Sequence, residues 1–567
     1  MTDSGVTGNE PAGISRPGPA ASAPPRLRVA GAEVQWQTLP ELLQWAATLP
    51  VDRGVEIDGQ FQSYAEIDRC SRLVAANLRH LGVKPGDHVC TLMSNRAEVL
   101  PAWFGTVMAG AIWVPLNTGV VGQDLLHVLT DAMPVAVIVD TEHVETLESQ
   151  GVGETCPALR FLIGMPMGST KPGWKPYQDL LVPGRASINL RLTPGDPAVI
   201  IYTGGTTGLP KGVVLPHFAM ICGGIRYGEA FAATSQDRHF GVSPLYHAGG
   251  LTISVLGPMI AGMTSTVERS FSLSNYWRRV RESGATIINP IGVILTLLCR
   301  QAASAADRDH AVRACIGVTG QLPEGIPAEF SRRFGIRIVN IYALTEASGA
   351  MIVYNTLDSP RPDANGRASH WVDIAVHDTS GQPLPPNQIG TIVLRPKIPY
   401  TFMLGYHNND AATLKVLSNL WLHTGDLGML DEDGYLHFCG REAHWVRRRG
   451  ENISAYEVEG IISQFPGIAE LCLVGVPADI GEEEVKAFIV TEPGIRIDPV
   501  ELDHWCAQRM AGFKVPRFVE FVESLPRSAA KREPERYKLR AMPNDAAWDR
   551  EKVLGRRAPA TKGRGIK

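Results

Sequence analysis

The sequence predicts an α/β protein, with a large N-terminal domain of mixed or parallel sheets flanked by helices and a small α+β domain behind it. Three observations predict this. Short β-branched or apolar runs at 89–93, 135–139, 198–202, 285–288 and 336–341 are separated by helical stretches, as when crossover helices join parallel strands. The chain has 567 residues, more than a single core usually serves, so at least two domains are expected. From Arg441 to about Arg540 the pattern changes to helix and strand signals over about a hundred residues, an ordinary domain size.

The first helix is read from Ile67, Cys70, Leu73, Val74, Leu78 and Leu81, spaced to share one face over 64–81, with Gly82 as its stop. Lys84-Pro85-Gly86-Asp87 then turns the chain into the 89–93 strand. In the second unit, helices are predicted at 456–464 and 499–510 and strands at 468–474 and 485–490. Residues 1–30, rich in Gly, Pro, Ala and Ser without an apolar run, read as a disordered leader and not a signal peptide. The domains are placed at 31–441 and 442–545, with 546–567 as a basic disordered tail containing Arg556, Arg557, Lys562, Arg564 and Lys567.

Composition excludes some classes. Apolar residues make up 44% and charged residues 20%, and the net charge of −4 leaves no footprint for nucleic acid or an anionic membrane. The longest apolar segment, 251–263, is interrupted by Thr, Ser, Gly and Pro and falls short of the ~20 residues a bilayer span needs, so no integral membrane association is expected. The nine cysteines form no CxxC pair and read as reduced core thiols of a cytoplasmic protein.

The most informative segment is 201–217, IYTGGTTGLPKGVVLPH. A β-branched strand runs into Thr203, Gly204, Gly205, Thr206, Thr207 and Gly208, and then Pro210-Lys211-Gly212. Glycines let the backbone approach phosphate, threonine hydroxyls and amides donate to its oxygens, and one lysine supplies a point charge. The ordinary P-loop needs GK[ST] opening into a helix. Here Pro210 precedes the lysine, and Gly212 and Val213-Val214 follow it, which excludes that reading.

The segment resembles the YTSGTTGxPKG signature of the adenylate-forming superfamily, of acyl-CoA synthetase type, with Gly204 in place of its usual serine. The resemblance runs from about Ala46 to Arg540 with several motifs in order. It implies an ATP-dependent carboxylate–CoA ligase that activates an organic acid (fatty, aryl or related) as acyl-AMP. The co-substrates would be ATP and coenzyme A, with Mg²⁺ as cofactor. In NIYALTEASG the resemblance assigns Glu346 and Thr206 to the metal and Thr345 to the α-phosphate, with Asn340, Ile341 and Tyr342 near adenine. Ala343 replaces the usual glycine. Asp426 of WLHTGD and Arg441 would hold the ribose. Tyr246 and His247, in SPLYH, would line the acyl pocket, where Gly320, Ala343 and Ala347 leave room.

Gly450, in RRRGENI, would approach the pantetheine thiol, with neighbouring arginines suited to phosphates. The hinge pair just before it, usually Lys-Asp or Asp-Asp in the family, is Ala443-His444. The family's catalytic small-domain lysine falls at Lys531 or Arg532 in LPRSAAKR, depending on a one-residue slip. That small domain is expected to be mobile, rotating between the two half-reactions. Transfer to an amine or carrier protein, and a degenerate protein that only binds nucleotide or acyl-CoA, stay open as alternatives. The oligomeric state is open too, a homodimer included.

Overall fold

The computed structural model describes residues 28–555 except 30–31, 150, 152–155, 166–172, 186–187, 189, 206–207, 291–292, 318–324, 350, 359–360, 442–443, 449–450, 478–482 and 528–533. Residues 1–27 of the expected leader and 556–567 of the expected tail lie outside the described residues.

The first predicted helix spans Tyr64–His80. It begins where Ser63 Oγ accepts the Glu66 amide at 3.1 Å and ends before Gly82, whose φ of +92° no other residue adopts cheaply. Its apolar stripe packs on helix Val99–Met108. The two approach so closely that a Cβ on Gly105 would lie 2.6 Å from Val74 Cβ. Gly105→Ala is therefore expected to destabilise the protein by about 1–3 kcal/mol, read from the urea midpoint.

Among the described residues, an eight-stranded sheet runs Gly405–Tyr406, Gly208–Pro216, Pro197–Gly205, Ile112–Pro115, His88–Leu92, Ala136–Asp140, Phe161–Met165, Trp174–Pro176. Its strands are parallel from Pro197–Gly205 onward and antiparallel on the other side. A nine-stranded sheet has a parallel centre that includes Arg238–Gly241, Ile287–Asn289, Ala314–Gly317 and Arg337–Tyr342. A third, antiparallel sheet contains Val372–His377, Gly390–Pro396, Trp421–Leu430 and Leu436–Arg441. Functional loops are expected at the carboxyl ends of parallel strands.

Arg238–Gly241 is anchored at its start by Asp237. Burial alone would raise that carboxyl. Arg313, bonded to it at 2.8 and 2.9 Å, and donors from Thr234 and Thr286 outweigh burial and hold it at about 2. A folded-state value depressed below the ordinary 3.8 contributes stability that is fully present above that value and is lost as pH falls towards 2. The contribution is about 2 kcal/mol. Urea titrations at pH 4 and pH 2 should show this loss in the wild type and a flatter dependence in Asp237→Asn.

The segment 251–263 is no membrane span. Helix Ala248–Leu251 widens into a π turn at Thr252–Leu256 and closes with Gly257–Ile260. Among the described residues no helix is long and apolar enough to cross a membrane. All nine cysteines are free and eight are buried, and burial pushes the Cys222 thiol up to about 11 and that of Cys472 to about 12.

Buried residues from Val446 to Leu539 form clusters of their own, separate from the cores built by residues 39–436. Their sheet orders Ile468–Pro477, Glu483–Thr491, Phe518–Phe521 and Trp548–Asp549. The last strand corrects the expected start of the tail at 546. Residues 548–554 form a strand and the helix Arg550–Leu554, because Arg550 pairs with buried Asp503 at 2.6 Å and Arg517 pairs with Asp549 at 3.3 Å.

Candidate active site

The glycine-rich segment folds as an antiparallel hairpin, Pro197–Gly205 against Gly208–Pro216, with Thr203 opposite Lys211 and Gly205 opposite Gly208. Gly204, Gly205 and Gly208 lie in its strands, while Thr206 and Thr207 at its tip fall outside the described residues. Helix Gly122–Ala132 ties the hairpin from one side. His127 Nε2 lies 3.0 Å from the Pro210 carbonyl, and the Tyr202 hydroxyl donates to Asp131 at 2.6 Å. On the other side the hairpin pairs with Gly405–Tyr406. The glycine after Lys211 follows from this packing. A Cβ at Gly212 would stand 2.8 Å from Ile200 Cγ2, 3.1 Å from Tyr202 Cζ and 3.2 Å from His407 Cβ.

Lys211 Nζ sits 5.1 Å from the centre of the Tyr406 ring. The Tyr406 hydroxyl donates to Glu346 Oε1 at 2.8 Å, so one phenol joins the hairpin to the turn Thr345–Ala347. That turn follows strand Arg337–Tyr342 after Ala343 and Leu344. The last residue of the strand, Tyr342, donates its hydroxyl to Asp426 Oδ2 at 2.7 Å, and Arg441 Nε reaches Asp426 Oδ1 at 3.2 Å. Asp426 and Arg441 also face each other across a β-ladder. Lys211, Glu346, Asp426 and Arg441, separated by as many as 230 positions in sequence (441 minus 211), form one connected constellation.

Burial, then the charge of Glu346 or Asp426, pushes the Tyr406 and Tyr342 phenols far above their ordinary range. Both stay protonated and act as donors that orient the two carboxylates. Asn340 is buried, and its amide donates to the carbonyls of Pro362 and Ala364 at 3.1 and 3.2 Å, while Ile341 lies in the core. Thr345 and Glu346 are half-buried and Ala343 is exposed.

Tyr246 and His247 stack edge-on at 4.7 Å and line a small, mostly apolar cleft with Leu125, Val128, Tyr202 and Pro210. The cleft therefore abuts the hairpin itself. Gly320, Gly450, Lys531, Arg532 and Ala443 lie outside the described residues. Among the arginines beside Gly450, the expectation of a phosphate-binding role is corrected for Arg448. That residue is buried, pairs with Glu484 at 2.6 Å and donates to the carbonyls of Phe513 and Val515, so its guanidinium is committed to the small sheet. His444 is held neutral, at about 3, by burial and by the positive charges of Arg536, Arg441 and Arg540.

The sequence reading missed Tyr406, Asp131 and His127, and took Tyr202 only as the strand end that opens the glycine-rich motif. Tyr406 sits in a two-residue strand without periodicity, and Asp131 and His127 carry no motif of their own. A separate cluster of Asp140, Glu142 and His143 has metal-ligand chemistry, but Arg96 and Arg269 already neutralise its carboxylates.

The family model of the AMP-binding enzyme matches residues 42–407. The chain belongs to this family. The model of the AMP-binding enzyme C-terminal domain matches residues 457–532. Crotonobetaine/carnitine–CoA ligase from Salmonella paratyphi A is 30% identical over 501 residues, covering 87% of this chain and 96% of its own. Among solved structures, ATP-bound MatB from Rhodopseudomonas palustris superposes with a TM-score of 0.79 at 27% identity, covering 89% of this chain and 98% of its own. The anthranilate–CoA ligase AuaEII with anthranoyl-AMP, at 24% identity and TM-score 0.80, covers 90% of this chain and 97% of its own and shares the fold. The protein is thus an AMP-binding enzyme of acyl-CoA synthetase type, and its α/β architecture is the one the sequence predicts.

In this AMP-binding enzyme the donor set fits a magnesium ion. Glu346 offers a half-buried carboxylate whose Oε1 is fixed by Tyr406, and a hard cation completes such a site with phosphate and water oxygens.

Proposed function

We propose that the protein is an ATP-dependent carboxylate–CoA ligase that activates an organic acid as its adenylate and passes the acyl group to the thiol of coenzyme A. The observation that carries this reading is the link from Lys211 through Tyr406 to Glu346, beside the link from Tyr342 through Asp426 to Arg441. A phosphate-binding cation, a metal-binding carboxylate and a diol-binding carboxylate thereby stand together. Their intactness weighs against a protein that only binds nucleotide.

A carboxylate is a poor electrophile, so an oxygen of the acid attacks the α-phosphorus of ATP while the bond to pyrophosphate breaks. Catalysis here is positioning and charge neutralisation. Lys211 balances charge on the phosphates, and the hairpin amides and threonine hydroxyls cradle them. Glu346 would hold Mg²⁺, which neutralises phosphate charge. Asp426 accepts the ribose hydroxyls beside Arg441, and Asn340, Ile341 and Tyr342 border the adenine. In the second step the thiolate of coenzyme A attacks the acyl carbon near Gly450, and AMP leaves with the electron pair of the broken bond. The cleft of Tyr246 and His247 supplies an apolar wall next to the reacting carboxyl. Free, mostly buried thiols support a cytoplasmic setting.

The direct test is incubation with ATP, Mg²⁺ and a panel of acids, with mass detection of acyl-CoA. AMP release that requires an amine in place of coenzyme A would refute the acceptor. The cation bridging carboxylate and α-phosphate is assigned to Lys531 or Arg532. Truncating the correct one to alanine is expected to lower pyrophosphate exchange by about 10²–10³-fold while sparing thioester formation from supplied acyl-adenylate. If neither variant separates the two half-reactions, the small-domain assignment is wrong.

A further inference from the structure

The cleft that holds Tyr246 and His247 takes one of its walls from a stretch of chain to which the chemistry described so far gives no role. Strand Ile112–Pro115 ends at this cleft, as parallel strands end at functional crevices. Val120, in the loop that follows, lines it while half-buried. Leu125 and Val128 stand three positions apart on helix Gly122–Ala132, so one helix face turns both onto the cleft. The same helix is fastened to the glycine-rich hairpin through His127 and Asp131, which holds this wall and the hairpin together.

The chemistry of the cleft is uniform. Among the described residues its lining contains no Asp, Glu, Lys or Arg. Most of its polar groups are engaged elsewhere. Tyr202 donates to Asp131 at 2.6 Å, and the Tyr246 phenol shares a hydrogen bond with the Thr118 side chain. Asn117 Oδ1 accepts the Gly119 amide at 2.9 Å, while its Nδ2 is shut off from solvent. Burial pushes both phenols up, so neither carries charge. A hydrocarbon tail gains by entering such a cleft, whereas an ionised tail gives up its hydration and meets no opposite charge.

Resting on the ligase reading, we propose that Val120, Leu125 and Val128 select the acyl group, and that the acid activated is a monocarboxylic acid with a short, uncharged, apolar tail. The carboxyl lies toward the hairpin, since Pro210 borders the cleft one residue before Lys211, and the tail lies against the helix. The small size of the cleft limits the length of the tail as its lining limits the polarity. A trimethylammonium tail, carried by the acids named in the crotonobetaine/carnitine relatives, would find no carboxylate beside it there.

The test measures AMP formation with unbranched monocarboxylic acids of increasing length, and with α,ω-dicarboxylic and trimethylammonium-terminated acids of equal length. The wild type should favour short uncharged acids over both charged sets in kcat/KM by about a hundredfold or more. Val120→Phe should lower kcat/KM by about tenfold or more for the longest acids that the wild type accepts, and Val128→Ala should raise it for acids roughly one or two carbons longer. KM for ATP should stay unchanged in both, a split that a merely structural loss would not give. Equal or better turnover of either charged set by the wild type overturns the proposal, and so does a length profile that neither variant moves. Failure of both variants to fold would make these positions structural and overturn it too. Each of these results spares the ligase reading. No AMP from any acid of the panel sinks both.

Discussion

Lys211→Met is expected to lower kcat for acid-dependent pyrophosphate release by about 10²–10³-fold, some 2.7–4 kcal/mol of transition-state stabilisation, with little change in the urea midpoint. Two observations separate the catalytic from the structural effect. Among the described residues no carboxylate pairs with Lys211, whose ammonium instead faces the Tyr406 ring at 5.1 Å. Methionine keeps the apolar stem and can still lie against that ring, so the fold loses only a weak cation–π contact. A cation beside a glycine-rich hairpin that pairs with no carboxylate among the described residues supports the proposed role of meeting the phosphates of the nucleotide. A fall in kcat below tenfold would remove Lys211 from the phosphate site. A matching fall in the urea midpoint would mean the residue serves the hairpin and not the reaction.

The second large effect belongs to the C-terminal unit. Arg550→Met should destabilise it by about 3–5 kcal/mol, because the Asp503 carboxylate is then buried without its partner. The Asp503 side chain is 1% exposed and that of Arg550 6%, so water cannot take over. Hydrogen exchange should report the loss first in Phe518–Phe521, the strand that pairs with Trp548–Asp549. Asp503→Leu made together with Arg550→Met should recover most of the stability, since an apolar pair of similar size needs no counter-charge. A single-variant cost under about 1 kcal/mol would show that the pair is hydrated and that the last helix adds little.

Much of the architecture was readable because it follows local periodicity. The stripe from Ile67 to Leu78 and the stop at Gly82 define Tyr64–His80 to within a residue, and the runs at 135–139 and 336–341 became Ala136–Asp140 and Arg337–Tyr342. The antiparallel sheet of Val372–His377, Gly390–Pro396 and Trp421–Leu430 was not. Its strands alternate weakly, with exposed Arg395 and Pro396 on one and His423 and Thr424 half-buried on another, so no period-2 signal rises above the surrounding loops. The site divides the same way. Lys211, Glu346 and Asp426 sit in short motifs whose chemistry is local. Tyr406 matters only because Gly405–Tyr406 pairs with Val213–Val214 and so swings a phenol between two distant motifs, which no window of sequence contains. Arg448 misled for the opposite reason. A run of arginines looks solvated until strand alternation turns one of them inward onto Glu484.

The glycine-rich hairpin lies at the antiparallel side of an otherwise parallel sheet, and the helix His217–Phe231 that follows it leads to the next sheet and not back into this layer. Its strands are held by backbone pairing with Ile112–Pro115 and Gly405–Tyr406, and a few side-chain fastenings trim it further, His127 on the Pro210 carbonyl, Tyr202 on Asp131 and Lys211 against Tyr406. Each works like a set-screw. Single exchanges at 127, 131 or 406 can loosen or retune the loop while the strands beneath stay as they are, which gives an enzyme of this design a simple route to trade speed against selectivity.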